Sequence, residues 1–150
     1  DSRTFSPLNS GLQYPPVELE QRLIDDNEMI KIAGWGNIYD TSVKSIDLKE
    51  VEAPLVSPKL CAAPDSHGQS VKANMVCAGY EDERTDACDA DWGGPATIHK
   101  YGKDYLIGVM SWGDCAGPKR YGVFTRIEPY VGWIKATLGS MRRGPRYYFP

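Results

Sequence analysis

Residues 86–113 read DACDADWGGPATIHKYGKDYLIGVMSWG. The apolar runs in this stretch are short and bounded by turn residues, which predicts strands over Ala96–His99 and Tyr105–Ser111. Tyr-Gly-Lys-Asp (101–104) lies between them and supplies a hairpin turn. Two strands this close together, with glycines on either side, point to an antiparallel all-β protein.

Working outward, the same punctuation recurs. Met29–Trp35 reads as a strand running into Gly34 and Gly36. A second strand spans Ser45–Leu55. There Ile46 and Leu48 alternate with polar residues, and Val51, Ala53 and Leu55 do so one step out of phase, which predicts a bulge. Ser57-Pro58 opens a short helix, with serine as cap and proline at the first helical position. Met75–Ala78 and Gly122–Arg126 complete six strands. A helix over Glu128–Leu138 follows, with Tyr130, Trp133, Ile134 and Leu138 on one face and Gly139 as its stop. Residues 1–20 are expected to be extended, because Pro7, Pro15 and Pro16 discourage helix. Residues 139–150 form a basic, aromatic tail. Short strands with turn signals and one terminal helix predict an antiparallel barrel, occupying residues 21–138.

The 150 residues suit one domain or a large piece of one. A net charge of -3 gives no reason to expect nucleic acid or an anionic membrane as the main partner. No apolar run approaches the ~20 residues of a membrane span. The four cysteines, Cys61, Cys77, Cys88 and Cys115, are even in number and too widely spaced for a zinc ribbon. Disulfides are therefore expected, with a secreted setting and no metal.

Six stretches carry a resemblance. They are Ser-Pro-Leu-Asn-Ser (6–10), Ile-Ala-Gly-Trp-Gly (32–36), Asn-Met-Val-Cys-Ala-Gly-Tyr (74–80), Asp-Ala-Cys-Asp-Ala-Asp-Trp-Gly-Gly-Pro (86–95), Gly-Val-Met-Ser-Trp-Gly (108–113) and Gly-Val-Phe-Thr-Arg-Ile (122–127). In order and spacing they resemble the second barrel of the trypsin-like serine proteases. The resemblance implies a six-stranded Greek-key barrel with a C-terminal helix, the second half of a double barrel. Residues 1–20 would then be the segment that joins the two barrels. It also implies the pairs Cys61–Cys77 and Cys88–Cys115. A further bridge of the family is replaced by Ile30 and Ile98, so that contact is expected to be hydrophobic.

In this family a serine attacks the substrate, assisted by histidine and aspartate. The resemblance puts Trp92 at the serine position, and an indole has no nucleophilic oxygen. It puts Ala90 where a glycine N–H helps to bind the oxyanion. The histidine and aspartate belong to the first barrel, and the chain is expected to begin just after the place where the aspartate would fall. His67 and His99 are expected to be exposed loop histidines. From these departures the chain is expected not to be an enzyme. It would be a non-catalytic extracellular binding or regulatory protein, joined without a covalent link to a separate first-barrel chain of the same precursor. An active hydrolase with an unorthodox site, and a structural or storage component of a larger assembly, are the alternatives.

The family's substrate pocket is better preserved. Asp86 matches the aspartate at the floor of the pocket that selects arginine or lysine, and Ser111, Trp112, Gly113 and Gly122 match its walls. Either a site for a basic side chain survives or Trp92 closes off a remnant. The stretch Gly113-Asp114-Cys115 is a residue shorter than usual, which alters the rim. Asp91 matches the carboxylate that pairs with a newly cleaved amino terminus. No cofactor is expected.

Overall fold

The computed structural model describes residues 12–35, 47–82, 92–113 and 118–141. The expected roles of Asp86, Cys88, Ala90, Asp91 and Cys115, of Ile46 and of most of the tail lie outside the described residues.

Seven strands form one sheet: β1 (Leu12–Gln13), β2 (Met29–Gly34), β3 (Lys49–Val56), β4 (Met75–Ala78), β5 (Pro95–Lys100), β6 (Lys103–Trp112) and β7 (Gly122–Arg126). Hydrogen-bonded neighbours run β1-β6-β5-β2-β3-β4-β7, and β7 returns to β6. The six strands β2–β7 thus close into an antiparallel barrel, as expected, and β1 lies parallel to β6 on its outside. Closure gives each of those six strands a hydrogen-bonded neighbour on both sides.

Alternation along the strands fixes the inside. Ile30 and Ile32 of β2, Ala53 and Leu55 of β3, Ile107 and Met110 of β6 and Phe124 of β7 are buried together. Each fully buried Ile, Leu or Phe contributes roughly 1.5–3 kcal/mol. Ile30 and Ile98 both sit in this cluster, on neighbouring strands paired at Lys31↔Thr97, in keeping with the expected hydrophobic replacement. The β5–β6 hairpin turns through Tyr101 and Gly102, both at positive φ (53° and 70°), as a two-residue turn of the primed type requires.

Four local expectations need correction. The first twenty residues are not extended throughout, because helix α1 spans Val17–Asp25. Pro16 stands just before it in an extended conformation, and its carbonyl accepts from the Leu19 and Glu20 N–H groups at 3.0 Å. A proline just outside the first turn removes no intrahelical hydrogen bond, so it does not prevent the helix. Glu18 and Glu20 complement the first-turn dipole, and Leu19, Leu23 and Ile24 bury one face.

Among the described residues, the bulge expected in the second strand is not found. β2 and β3 pair without a break from Gly34↔Lys49 to Met29↔Pro54. The change of phase marks the start of the strand, since Leu48 precedes it and is exposed. Irregularities fall instead between Ala96 and Thr97 and between Met110 and Trp112.

The terminal helix is also different. A 3-10 turn over Glu128–Tyr130 leads into helix α3 (Val131–Met141), which runs through Gly139. A glycine stops a helix only where it takes the left-handed conformation, and Gly139 is not among the positive-φ glycines. The apolar face of α3 is not buried in this chain, with Trp133 68% and Leu138 47% exposed.

The fourth correction concerns His67, which is half-buried and bonded rather than exposed in a loop. The short helix α2 (Pro58–Cys61) forms as expected, with the Ser57 hydroxyl accepting from the Leu60 N–H at 3.4 Å.

Candidate functional site

The end of β6, the start of β7 and the loop after α2 meet at one end of the barrel. Gly113 follows Trp112 at φ 135°, where side-chain-bearing residues are strained. A Cβ at Gly113 would stand 3.0 Å from the Tyr121 carbonyl oxygen and 3.2 Å from the Gly122 Cα. A Cβ at Gly122 would stand 3.2 Å from the Phe124 ring. Two backbones therefore approach each other here as only glycines allow.

A disulfide fixes the third side. Cys61 and Cys77 are bonded, as the resemblance implied, tying α2 to β4. The loop between them carries Ser66 and His67 against β7. The His67 Nε2–H donates to the Tyr121 carbonyl at 2.7 Å, and its ring meets that of Trp112 edge-on at 5.0 Å. The Ser66 hydroxyl donates to the Lys119 carbonyl at 2.7 Å. His67 thus holds both the indole of Trp112 and the backbone entering β7. Its spacing from Cys61 gave no sign of this, because both partners are distant in sequence and one is a carbonyl.

Trp92 heads a turn whose next residue, Gly93, has φ 84°. The Gly93 N–H donates to the Met110 carbonyl and the Met110 N–H to the Gly94 carbonyl, both at 2.9 Å, so the turn is anchored on β6. Its indole stands 59% exposed. Trp92, Trp112, Gly113, Ser66, His67, Ser70 and Arg120 line a cavity of about 580 Å3. Of the predicted site residues, the structure brings Trp92, Trp112 and Gly113 together at this cavity and places Gly122 directly behind Gly113. Ser111, just before Trp112 on β6, is exposed. His99 is remote, on the hairpin, with Nδ1 at 2.7 Å from Asp104 Oδ1.

The rim is charged. Lys119 bonds Asp65 at 2.6 Å and approaches Glu81 at 3.6 Å. The hydrogen bond with Lys119 holds the Asp65 carboxyl below its usual range, and the same bond raises the ammonium of Lys119. Burial raises the Tyr121 phenol. Among the described residues no group of three or more His, Cys, Asp or Glu is placed to hold a metal. No helix among them is long and apolar enough to cross a membrane.

A closed six-stranded barrel with this glycine-lined cleft and its serine-protease motifs defines a trypsin-type domain half. Residues 3–134 match the trypsin family profile, and the chain belongs to that family. It is 43% identical over 116 residues to a Canis lupus familiaris protein named hepatocyte growth factor activator serine proteases, and 43% over 115 residues to the Homo sapiens counterpart. Each match covers 75% of this chain and 18% of the relative. It is 37% identical over 114 residues to coagulation factor XII of Bos taurus, covering 73% of this chain and 19% of that protein. The chain therefore spans about a fifth of the length of these relatives.

These matches overturn the expectation that the chain is not an enzyme. The relatives are named serine proteases, and the matched domain is one that points to an enzyme. The expectation rested on two positions of one loop, Ala90 and Trp92. The class of protein is carried by the whole matched length.

Proposed function

We propose that the chain is the substrate-holding second barrel of a secreted trypsin-type serine protease unit. It would work with a separate first-barrel chain of the same precursor, held without a covalent link, and would present its loops to other extracellular proteins. The observation that supports this most is the close approach of Gly113 to Tyr121 and Gly122 at the wall of the cavity of about 580 Å3 that Gly113 lines.

In this reading Asp86 floors a slot and draws in an arginine or lysine side chain, since a carboxylate in a narrow apolar site favours a guanidinium. Ser111, Trp112, Gly113 and Gly122 form its walls. Asp91 pairs with an amino terminus freed by cleavage, Ala90 lies in the oxyanion loop and Cys88 joins Cys115. The paired Cys61 and Cys77 agree with an oxidising compartment.

Benzamidine, a small amidinium probe of such a slot, tests the reading. Titration calorimetry on the full chain with its first-barrel partner should show one site, and Asp86→Asn should weaken binding at least tenfold. Equal binding by the Asn variant, or no association with the first barrel at micromolar concentration, would sink the proposal.

A further inference from the structure

The cavity lined by Trp92, Trp112 and Gly113 carries a cation, Arg120, that none of its described lining residues neutralises. Arg120 reaches it from the residue before Tyr121. Among the described residues its guanidinium has one hydrogen bond, from Nη1 to the Ser66 carbonyl at 3.4 Å, which is long for such a bond. The neighbouring cations are engaged more closely. Lys119 bonds Asp65, and Arg126 bonds Glu20 at 2.6 Å with Glu128 at 3.5 Å. No Asp or Glu is among the described residues that line the cavity.

The remaining walls suit an amphipathic guest. Trp92 and Trp112 contribute indole surface, and Ser70 contributes a hydroxyl. His67 is committed to the Tyr121 carbonyl through Nε2, so its ring is fixed in place. A volume of about 580 Å3 exceeds what a bare anion fills and suits one or two side chains.

We propose that this cavity binds an acidic peptide segment, with Arg120 gripping an aspartate or glutamate carboxylate while the indoles cover an adjoining apolar side chain. A planar guanidinium matches a carboxylate with two parallel N–H donors, which confers direction as well as charge. The inference rests on reading the cleft as a substrate site and makes it more specific. The preferred substrate would carry an acidic residue near its basic one.

The test uses the full chain, 15N-labelled, with its disulfides intact and its first-barrel partner bound, titrated with N-acetyl-Glu-Leu-Gly amide and its Gln counterpart. The indole Nε1–H signals of Trp92 and Trp112 should move with the Glu peptide, which should bind about five- to tenfold more tightly than the Gln peptide. Arg120→Gln should bring the ratio to about one. The preference should also shrink in about 1 M salt, where exposed charges are screened. That arm needs no variant, so it stands even where Arg120→Gln does not fold. Equal affinities in the native chain, a preference unchanged by Arg120→Gln or one that survives high salt overturns the inference. Benzamidine in the same samples separates the two claims. Its binding without a Glu preference defeats only the acidic site, and a Glu preference without it defeats only the basic slot.

Discussion

At the scale of single residues, the cleft depends on the absence of atoms. Gly113 combines a φ of 135° with backbone 3.0 Å from where a Cβ would lie. Gly113→Ala meets strain and overlap together, and neither neighbour is a flexible side-chain tip that can swing away. The expected loss is ~1–3 kcal/mol in urea unfolding, with benzamidine binding reduced more than the fold. Native stability in the alanine variant would show that the wall yields.

Glu20 makes the opposite point, because there an ion is buried rather than excluded. Its side chain is 0% exposed, Arg126 grips Oε2 through Nε at 2.8 Å and Nη2 at 2.6 Å, and Oε1 has no partner. Burial raises its carboxyl above the usual 4.5 more than Arg126 lowers it. The folded chain thus holds this proton more tightly than the unfolded one. Its contribution to stability is complete below pH 4.5 and is lost as pH rises through the folded value. Glu20→Gln should remove that part of the slope in urea midpoints measured from about pH 4 upward. An unchanged slope in the Gln variant would show that another group carries it.

At the scale of elements, β2 was readable because its side chains alternate with period two, and β4 and β7 because they are short apolar runs bounded by turn residues. Met75–Ala78 and Gly122–Arg126 were placed to the residue. Helix α1 was missed because Pro15 and Pro16 read as breakers, whereas both precede the first helical residue and cost it no hydrogen bond. The end of α3 was missed because Gly139 marks a stop only through its φ, which the letter alone does not reveal. That Trp92, Trp112, Gly113 and Gly122 would lie near one another was legible from the family motifs that carry them, and not from any spacing of their own. His67 and Arg120 were not, since each acts through contacts made by distant chain.

The Cys61–Cys77 bond belongs to this scale too, because it fastens α2 to β4 across a separation of 16 residues. Replacing both by serine should cost ~3 kcal/mol in urea unfolding. It should also loosen the His67 loop, seen as faster amide exchange at His67 and Tyr121. A loss in stability without faster exchange there would mean that the hydrogen bonds, and not the disulfide, hold the loop.

At the scale of the whole molecule, α3 leaves apolar side chains on the surface of this chain. Trp133 contributes little to this chain's own core at 68% exposure. Trp133→Ala should therefore leave its unfolding midpoint within about 0.5 kcal/mol of native. If the first-barrel chain covers that face, the same variant should weaken the two-chain complex by tenfold or more in sedimentation, in keeping with a buried aromatic anchor. Full affinity in the variant would place the contact elsewhere.

The ring order of the strands differs from their order along the chain, and this bears on how the barrel assembles. β2, β3 and β4 form one run of neighbours, and β5, β6 and β7 form another. The two runs meet along two seams, β2 with β5 and β4 with β7. Within each run the pairings are closer in sequence, whereas the seams join Ile32 to Ala96 and Cys77 to Val123. Closing such long loops carries an entropic cost before any contact repays it. The two three-stranded sheets should therefore form early and dock late, which makes seam formation the slow step in the birth of the barrel.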